Sequence, residues 1–62
     1  MTRLYIAGED ISAEESVILG FNNKLYPAGG HAGEYVGDAK ENIREGFRCA
    51  VEDNGDIRED DA

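Results

Sequence analysis

The segment Phe47-Arg48-Cys49-Ala50-Val51-Glu52-Asp53-Asn54-Gly55-Asp56-Ile57-Arg58 reads as a β-hairpin. Phe47, Cys49 and Val51 alternate with their neighbours, so they share one face of a strand. Asn54-Gly55 is the strongest turn signal in the chain, because both residues accept the positive φ of a two-residue hairpin turn. Asp56-Ile57-Arg58 then returns as a short strand.

The same grammar runs upstream. Ser16-Val17-Ile18-Leu19-Gly20-Phe21 leads into Asn22-Asn23 and back through Lys24-Leu25-Tyr26, where Pro27 is expected to stop the strand because it cannot donate to a ladder. Arg3-Leu4-Tyr5-Ile6-Ala7 and Glu34-Tyr35-Val36-Gly37-Asp38 supply two further strands. Eight glycines between Gly8 and Gly55 interrupt every candidate helix, and no long window keeps an apolar stripe at helical spacing. Two segments have room for a single helical turn. Asp10–Glu15 places Ser12 three residues before Glu15, the spacing of a capping box, and Ala39–Glu45 is similar. Neither is long enough to stand alone as a helix, and both read as ordered turns with Ile11 and Ile43 plugging the core. The prediction is an all-β fold, a small barrel or sandwich of five or six short antiparallel strands with one or two single-turn helical segments. Residues 1–58 form one domain and 59–62 an acidic, solvated tail.

A shift of 32 positions reveals an internal repeat. It aligns Ala7 with Ala39, Glu9 with Glu41, Asp10 with Asn42 and Ile11 with Ile43. It also aligns Val17 with Cys49, Leu19 with Val51, Asn22 with Asn54 and Leu25 with Ile57. Each half would be a strand, an acidic turn with a buried isoleucine and a hairpin. Two such layers closing on one another would leave few free edges. The glycine-rich stretch Ala28-Gly29-Gly30-His31-Ala32-Gly33 reads as a flexible arm between the halves.

A chain of 62 residues builds a thin core, burying only about 60% of its unfolded surface. The usual staples are missing from its composition. Cys49 is the only cysteine, and it and His31 are the only soft ligands, whereas zinc takes about four. No metal or cofactor is expected, and extra stability is expected from docking or self-association. Fourteen acidic residues face six basic ones, for a net charge of −8. Coulomb repulsion then opposes direct contact with nucleic acid or an anionic membrane. No apolar run approaches the roughly 20 residues of a membrane span, and no signal peptide is evident, so a soluble protein made in the cytoplasm is expected. Three readings of the acidity stand side by side: adaptation to molar salt, which the scarcity of lysine (Lys24 and Lys40 against four arginines) fits; a mimic of DNA; and an ordinary acidic surface.

Catalysis is poorly supplied, and the chain is not expected to be an enzyme. Cys49 sits on an alternating apolar face and reads as a core thiol. His31 lies in the glycine loop, where it is a loop residue or a contact to a partner. Glu14-Glu15, Glu52-Asp53 and Asp60-Asp61 are adjacent in sequence, but strand neighbours point to opposite faces and so do not form an acid/base pair. Glu52–Asp56 lacks the ligand spacing of a calcium loop, and Gly29-Gly30 and Gly33 lack a phosphate-binding pattern. Tyr5, Tyr26 and Tyr35 remain, with Tyr5 expected on the face opposite Leu4 and Ile6, at a partly exposed sheet surface. Together with His31 the tyrosines are candidates for a partner interface, or else they cover the rim of a small core.

Two stretches are distinctive as words. One is Ile11-Ser12-Ala13-Glu14-Glu15-Ser16-Val17-Ile18-Leu19 followed by Asn22-Asn23-Lys24-Leu25-Tyr26-Pro27-Ala28. The other is Tyr35-Val36-Gly37-Asp38-Ala39-Lys40-Glu41-Asn42-Ile43-Arg44-Glu45-Gly46. From about Gly8 to Val51 the chain resembles small proteins that decorate, or cement, the capsids of tailed viruses. Glu14 and Asn23 stand where that group usually has glycine. The resemblance implies a compact β-barrel without enzymatic activity that binds the outside of an icosahedral capsid at capsomer junctions and stabilises it. Its partners would be the major capsid protein and copies of itself, making it a minor capsid protein of the virion. The acidity suggests a halophilic, haloarchaeal host. The alternative from another class is an acidic DNA-mimic inhibitor of a nuclease or restriction system.

Overall fold

A computed structural model describes residues 1–60. Within them the chain forms β1 (Arg3–Ala7), β2 (Ser16–Leu19), β3 (Lys24–Pro27), β4 (Glu34–Ala39), β5 (Arg48–Val51) and β6 (Asp56–Glu59). These close into a barrel in the order β1-β3-β2-β4-β6-β5, so no strand edge is left open. The all-β expectation holds, as a barrel and not a sandwich. The strands are not all antiparallel: β1 pairs β3, and β4 pairs β6, in parallel. In each half the second strand crosses over to flank the third, which sets the first and third strands side by side.

The 32-residue repeat is the symmetry of this barrel. Ile6↔Lys24 and Ala7↔Leu25 recur as Asp38↔Asp56 and Ala39↔Ile57. Val17↔Pro27, Ile18↔Tyr26 and Leu19↔Leu25 recur as Cys49↔Glu59, Ala50↔Arg58 and Val51↔Ile57. On the pseudo-two-fold axis Ile11 and Ile43 form a reciprocal bridge, each N–H donating to the other's carbonyl at 2.8 and 2.7 Å. Two side-chain caps obey the same symmetry. Ala13 N donates to Asn42 Oδ1, and Glu45 N to Asp10 Oδ1, both at 2.8 Å. The halves interlock rather than stack, because β1 pairs β5 and β2 pairs β4 across the boundary. The core draws on both: Ala7, Ile11, Val17 and Leu25 from one half, Ala39, Ile43, Cys49, Val51 and Ile57 from the other.

Several expectations are corrected. Among the described residues there is no helix; Asp10–Glu15 and Ala39–Glu45 are turns around the Ile11–Ile43 bridge. Ser12 does not cap a helix; its carbonyl accepts from Glu15 N at 3.2 Å, closing a turn with Glu14 at φ 70°. The equivalent turn in the second half places Gly46 at φ 85°. Both isoleucines do plug the core, at 1% exposure each. Pro27 belongs to β3 and is buried. Gly20 N donates to Lys24 O and Ala28 N to Ser16 O, so position 27 turns its missing donor toward β1, whose pairing stops at Leu25. Phe47 leaves the inward face of Cys49 and Val51 and lies outside, under the Arg44 guanidinium 4.1 Å from its ring centroid.

Tyr5 is inverted relative to expectation. It alternates with Leu4 and Ile6 as foreseen, but it is the ring that turns inward against the core while Leu4 and Ile6 face solvent. Its equivalent is Gly37, where an added Cβ would stand 2.1 Å from the Gly55 carbonyl oxygen. One half fills its share of the barrel with a ring and the other with backbone. β6 runs to Glu59, one residue into the segment read as a tail, and Asp60 pairs with Arg48 at 2.7 Å; residues 61–62 of that segment lie outside the described residues.

Candidate functional site

Tyr26 projects from the outer face of β3, and its ring lies over two glycines. A Cβ on Gly8 would stand 2.3 Å from the ring and one on Gly20 would stand 2.7 Å from it. Absence of those two side chains is what lets an aromatic ring lie flat on the barrel. Asn22 Nδ2 donates to the Tyr26 hydroxyl at 2.7 Å, which fixes the ring in its plane. His31 stacks on the other side of the ring, with centroids 4.5 Å apart and planes 22° from parallel. His31 Nε2 lies 2.8 Å from Glu9 Oε2, so the loop is tied at this point to the turn after β1.

The loop read as a flexible arm is thus laid down on the barrel. Gly33 sits against the Leu19 carbonyl, where a Cβ would approach to 2.5 Å, and against the Ile18 side chain. Ile18 is buried although it stands apart from the central cluster. Beside the Tyr26–His31 stack an open groove of about 300 Å³ is lined by Gly20, Phe21, Asn22, Tyr26, His31 and Ala32. Phe21, at the tip of the β2–β3 hairpin, is 98% exposed.

Of the four residues singled out by sequence, the structure brings together Tyr26 and His31. Tyr5 turns inward, partly buried against the core, and Tyr35 lies on β4, in register with Ile18, the β2 residue that Tyr26 faces from the other flanking strand; the Tyr35 hydroxyl donates to Asp38 Oδ1 at 3.0 Å. That hydrogen bond to the Asp38 carboxylate raises the Tyr35 pKa above its ordinary value. Phe21, Asn22 and Glu9 were missed. The repeat carried a signal for Phe21, because it aligns with Asp53 at the tip of the second hairpin, where a charged residue suits solvent.

Cys49 is fully buried, with its Sγ 3.7 Å from the Phe47 carbonyl oxygen. Burial, with a smaller effect of the Glu59 carboxylate, pushes its thiol up to about 11. His31 is on the outer surface, so the two do not pair. Among the described residues no cluster of three or more histidine, cysteine or acidic side chains is arranged to hold a metal ion. Comparison of the chain with protein-family models, curated proteins and solved structures gives no match.

Proposed function

We propose that the chain is a non-enzymatic virion protein that docks on the outside of an icosahedral capsid, at capsomer junctions, and stabilises it. The observation that carries this reading is Phe21, a large apolar side chain left 98% exposed beside the stacked Tyr26 and His31. An aromatic anchor next to a preformed, partly polar groove is the pattern of a contact hot spot. Its ring carries little conformational entropy into the contact, and Tyr26 is already immobilised. A second observation supports the resemblance to capsid-decoration proteins. The two positions where that group usually has glycine, Glu14 and Asn23, are the two non-glycine residues with positive φ. Many modest contacts repeated over a shell would add up through avidity.

The net charge of −8 suits a virion that persists in brine. At molar salt the Debye length falls to about 3 Å, so carboxylate repulsion is screened while apolar contacts persist. A pull-down with the tagged chain from infected-cell lysate tests the reading, run in molar KCl and again in low salt. Retention of the major capsid protein in molar KCl is the expected result. Retention of a nuclease, in low salt only, would overturn it in favour of mimicry.

A further inference from the structure

The one stretch of chain that joins the two halves of the barrel is a strap. β3 and β4 flank β2, with Pro27 in register with Val17 and Glu34 with Leu19. The chain leaving β3 therefore crosses the outer face of β2 before it starts β4. Residues 28–33 make this crossing over Ile18, which is only 6% exposed although it stands apart from the core cluster. His31 rests on Tyr26 and Glu9, Gly33 approaches Ile18 and Leu19, and Ala28 N donates to Ser16 O at 2.8 Å, so these holds all come from the first half. Between them, Gly29 and Gly30 lie in open space, with no atom within 4 Å of a Cβ placed on either. Neither half closes by itself. β1 pairs β5 over residues 3–6 and β2 pairs β4 over residues 16–19, whereas β1 meets its own β3 only at Ile6 and Ala7.

We propose that two copies of the chain exchange halves: the strap peels away, and the first half of each copy closes a barrel with the second half of the other. The β1–β5 and β2–β4 pairs, the Ile11–Ile43 bridge and the shared core all form again between copies, because none of them depends on which chain supplies the second half. Only the strap differs. Two strand spacings across and two residues along put its ends about 12 Å apart in the closed barrel. Extended, the chain from Pro27 to Glu34 reaches about 24 Å, more than the 20 Å shortest extent of the barrel, so a second barrel fits alongside. A short linker holds its own second half at an effective concentration in the millimolar range. The closed monomer therefore prevails at micromolar concentration, and exchange competes near millimolar. The stack of His31 on Tyr26 is the anchor that each chain must release, so it favours the monomer. This inference is independent of the capsid reading. A chain that exchanges halves without binding capsid protein, or the reverse, separates the two proposals.

The test is refolding of the full chain from denaturant at about 10 µM and at about 1 mM, on either side of the expected crossover, followed by sedimentation velocity. Wild type should be monomeric at the lower concentration and partly dimeric at the higher. A variant lacking residues 29–32 keeps a connection that reaches at most about 11 Å, too short to cross β2, and should be a folded dimer at both, with far-UV circular dichroism as the check on folding. His31→Ala should raise the dimer association constant about tenfold, since a wild-type dimer gives up two stacks and the variant none. Half-filtered NMR on dimer refolded from an equal mixture of isotopically labelled and unlabelled wild type should show the Ile11–Ile43 contact between copies. A dimer made by surface contact keeps that contact within each copy. Wild type that refolds only as monomer at the higher concentration, a shortened chain that is monomeric or unfolded, a His31→Ala dimer no stronger than the wild-type one, or an Ile11–Ile43 contact confined to single copies would each overturn the proposal.

Discussion

Glu14 and Asn23 occupy left-handed backbone at φ 70° and 64°, and their equivalents Gly46 and Gly55 do so at 85° and 90°. A side chain in this region costs about 1–2 kcal/mol, less for asparagine. Glycine removes that strain but gives back part of it as unfolded-state entropy. Glu14→Gly should therefore stabilise the fold by about 0.5–1 kcal/mol, and Asn23→Gly by less, as read from urea midpoints. Cys49 gives a pH prediction at the same scale. Its thiol is held protonated in the fold up to about 11, against an ordinary value of 9.0. The unfolded chain loses this proton first, so stability is unaffected below pH 9 and falls between about 9 and 11. Chemical unfolding followed across that window should show the decline in wild type and a shallower one in Cys49→Ala. Asn23 was legible as a turn residue, because asparagine tolerates this backbone. Glu14 was not, since nothing local marks a glutamate for positive φ. Tyr5 was misread because alternation fixes which residues share a face but not which face is inside.

At the scale of elements, all six strands were legible from short apolar runs bounded by turn residues, with ends displaced by one or two positions. The parallel pairs were not, because β1 meets β3 only after β2 has crossed over, and no local pattern encodes that. The false helical turns have a physical cause as well. Ser12 and Glu15 have capping-box spacing, but Ile11 is committed to a backbone bridge with Ile43, and tertiary pairing outweighs the local preference. β4 passes close to the turn before β6 at Gly37. With 2.1 Å between a hypothetical Cβ at Gly37 and the Gly55 oxygen, Gly37→Ala must push the two apart. It should cost about 1–3 kcal/mol and lower the melting temperature. Gly8→Ala instead meets the far end of the Tyr26 side chain, which can swing away. Its expected signature is loss of the Tyr26–His31 stack, seen as a shift of the Tyr26 ring resonances, with a smaller loss of stability.

For the molecule as a whole, the repeat fixes the architecture and its imperfections mark the surfaces. The alignment of Ile11 with Ile43 and Leu25 with Ile57 was visible in the sequence because both members of each pair stay apolar in one shared core. Phe21 against Asp53 was equally visible as a mismatch, but only the barrel shows that both stand at hairpin tips. A chain of −8 with this little core should be markedly salt-dependent. Its melting temperature is expected to rise between about 0.1 M and 3 M KCl as the Debye length shrinks from about 10 Å to 3 Å or less. A flat profile would remove the case for a halophilic origin.

The measurement that tests the proposed capsid docking most directly is co-sedimentation of the chain with assembled tailed-virus capsids in molar KCl, comparing wild type with Phe21→Asp. The variant carries the residue that the second hairpin has at this position, so the turn accepts it without disturbing the barrel. Wild type should pellet with the shells at a fixed ratio to the capsid protein, and Phe21→Asp should remain in the supernatant. Equal binding of the two, or binding of neither, would contradict the account.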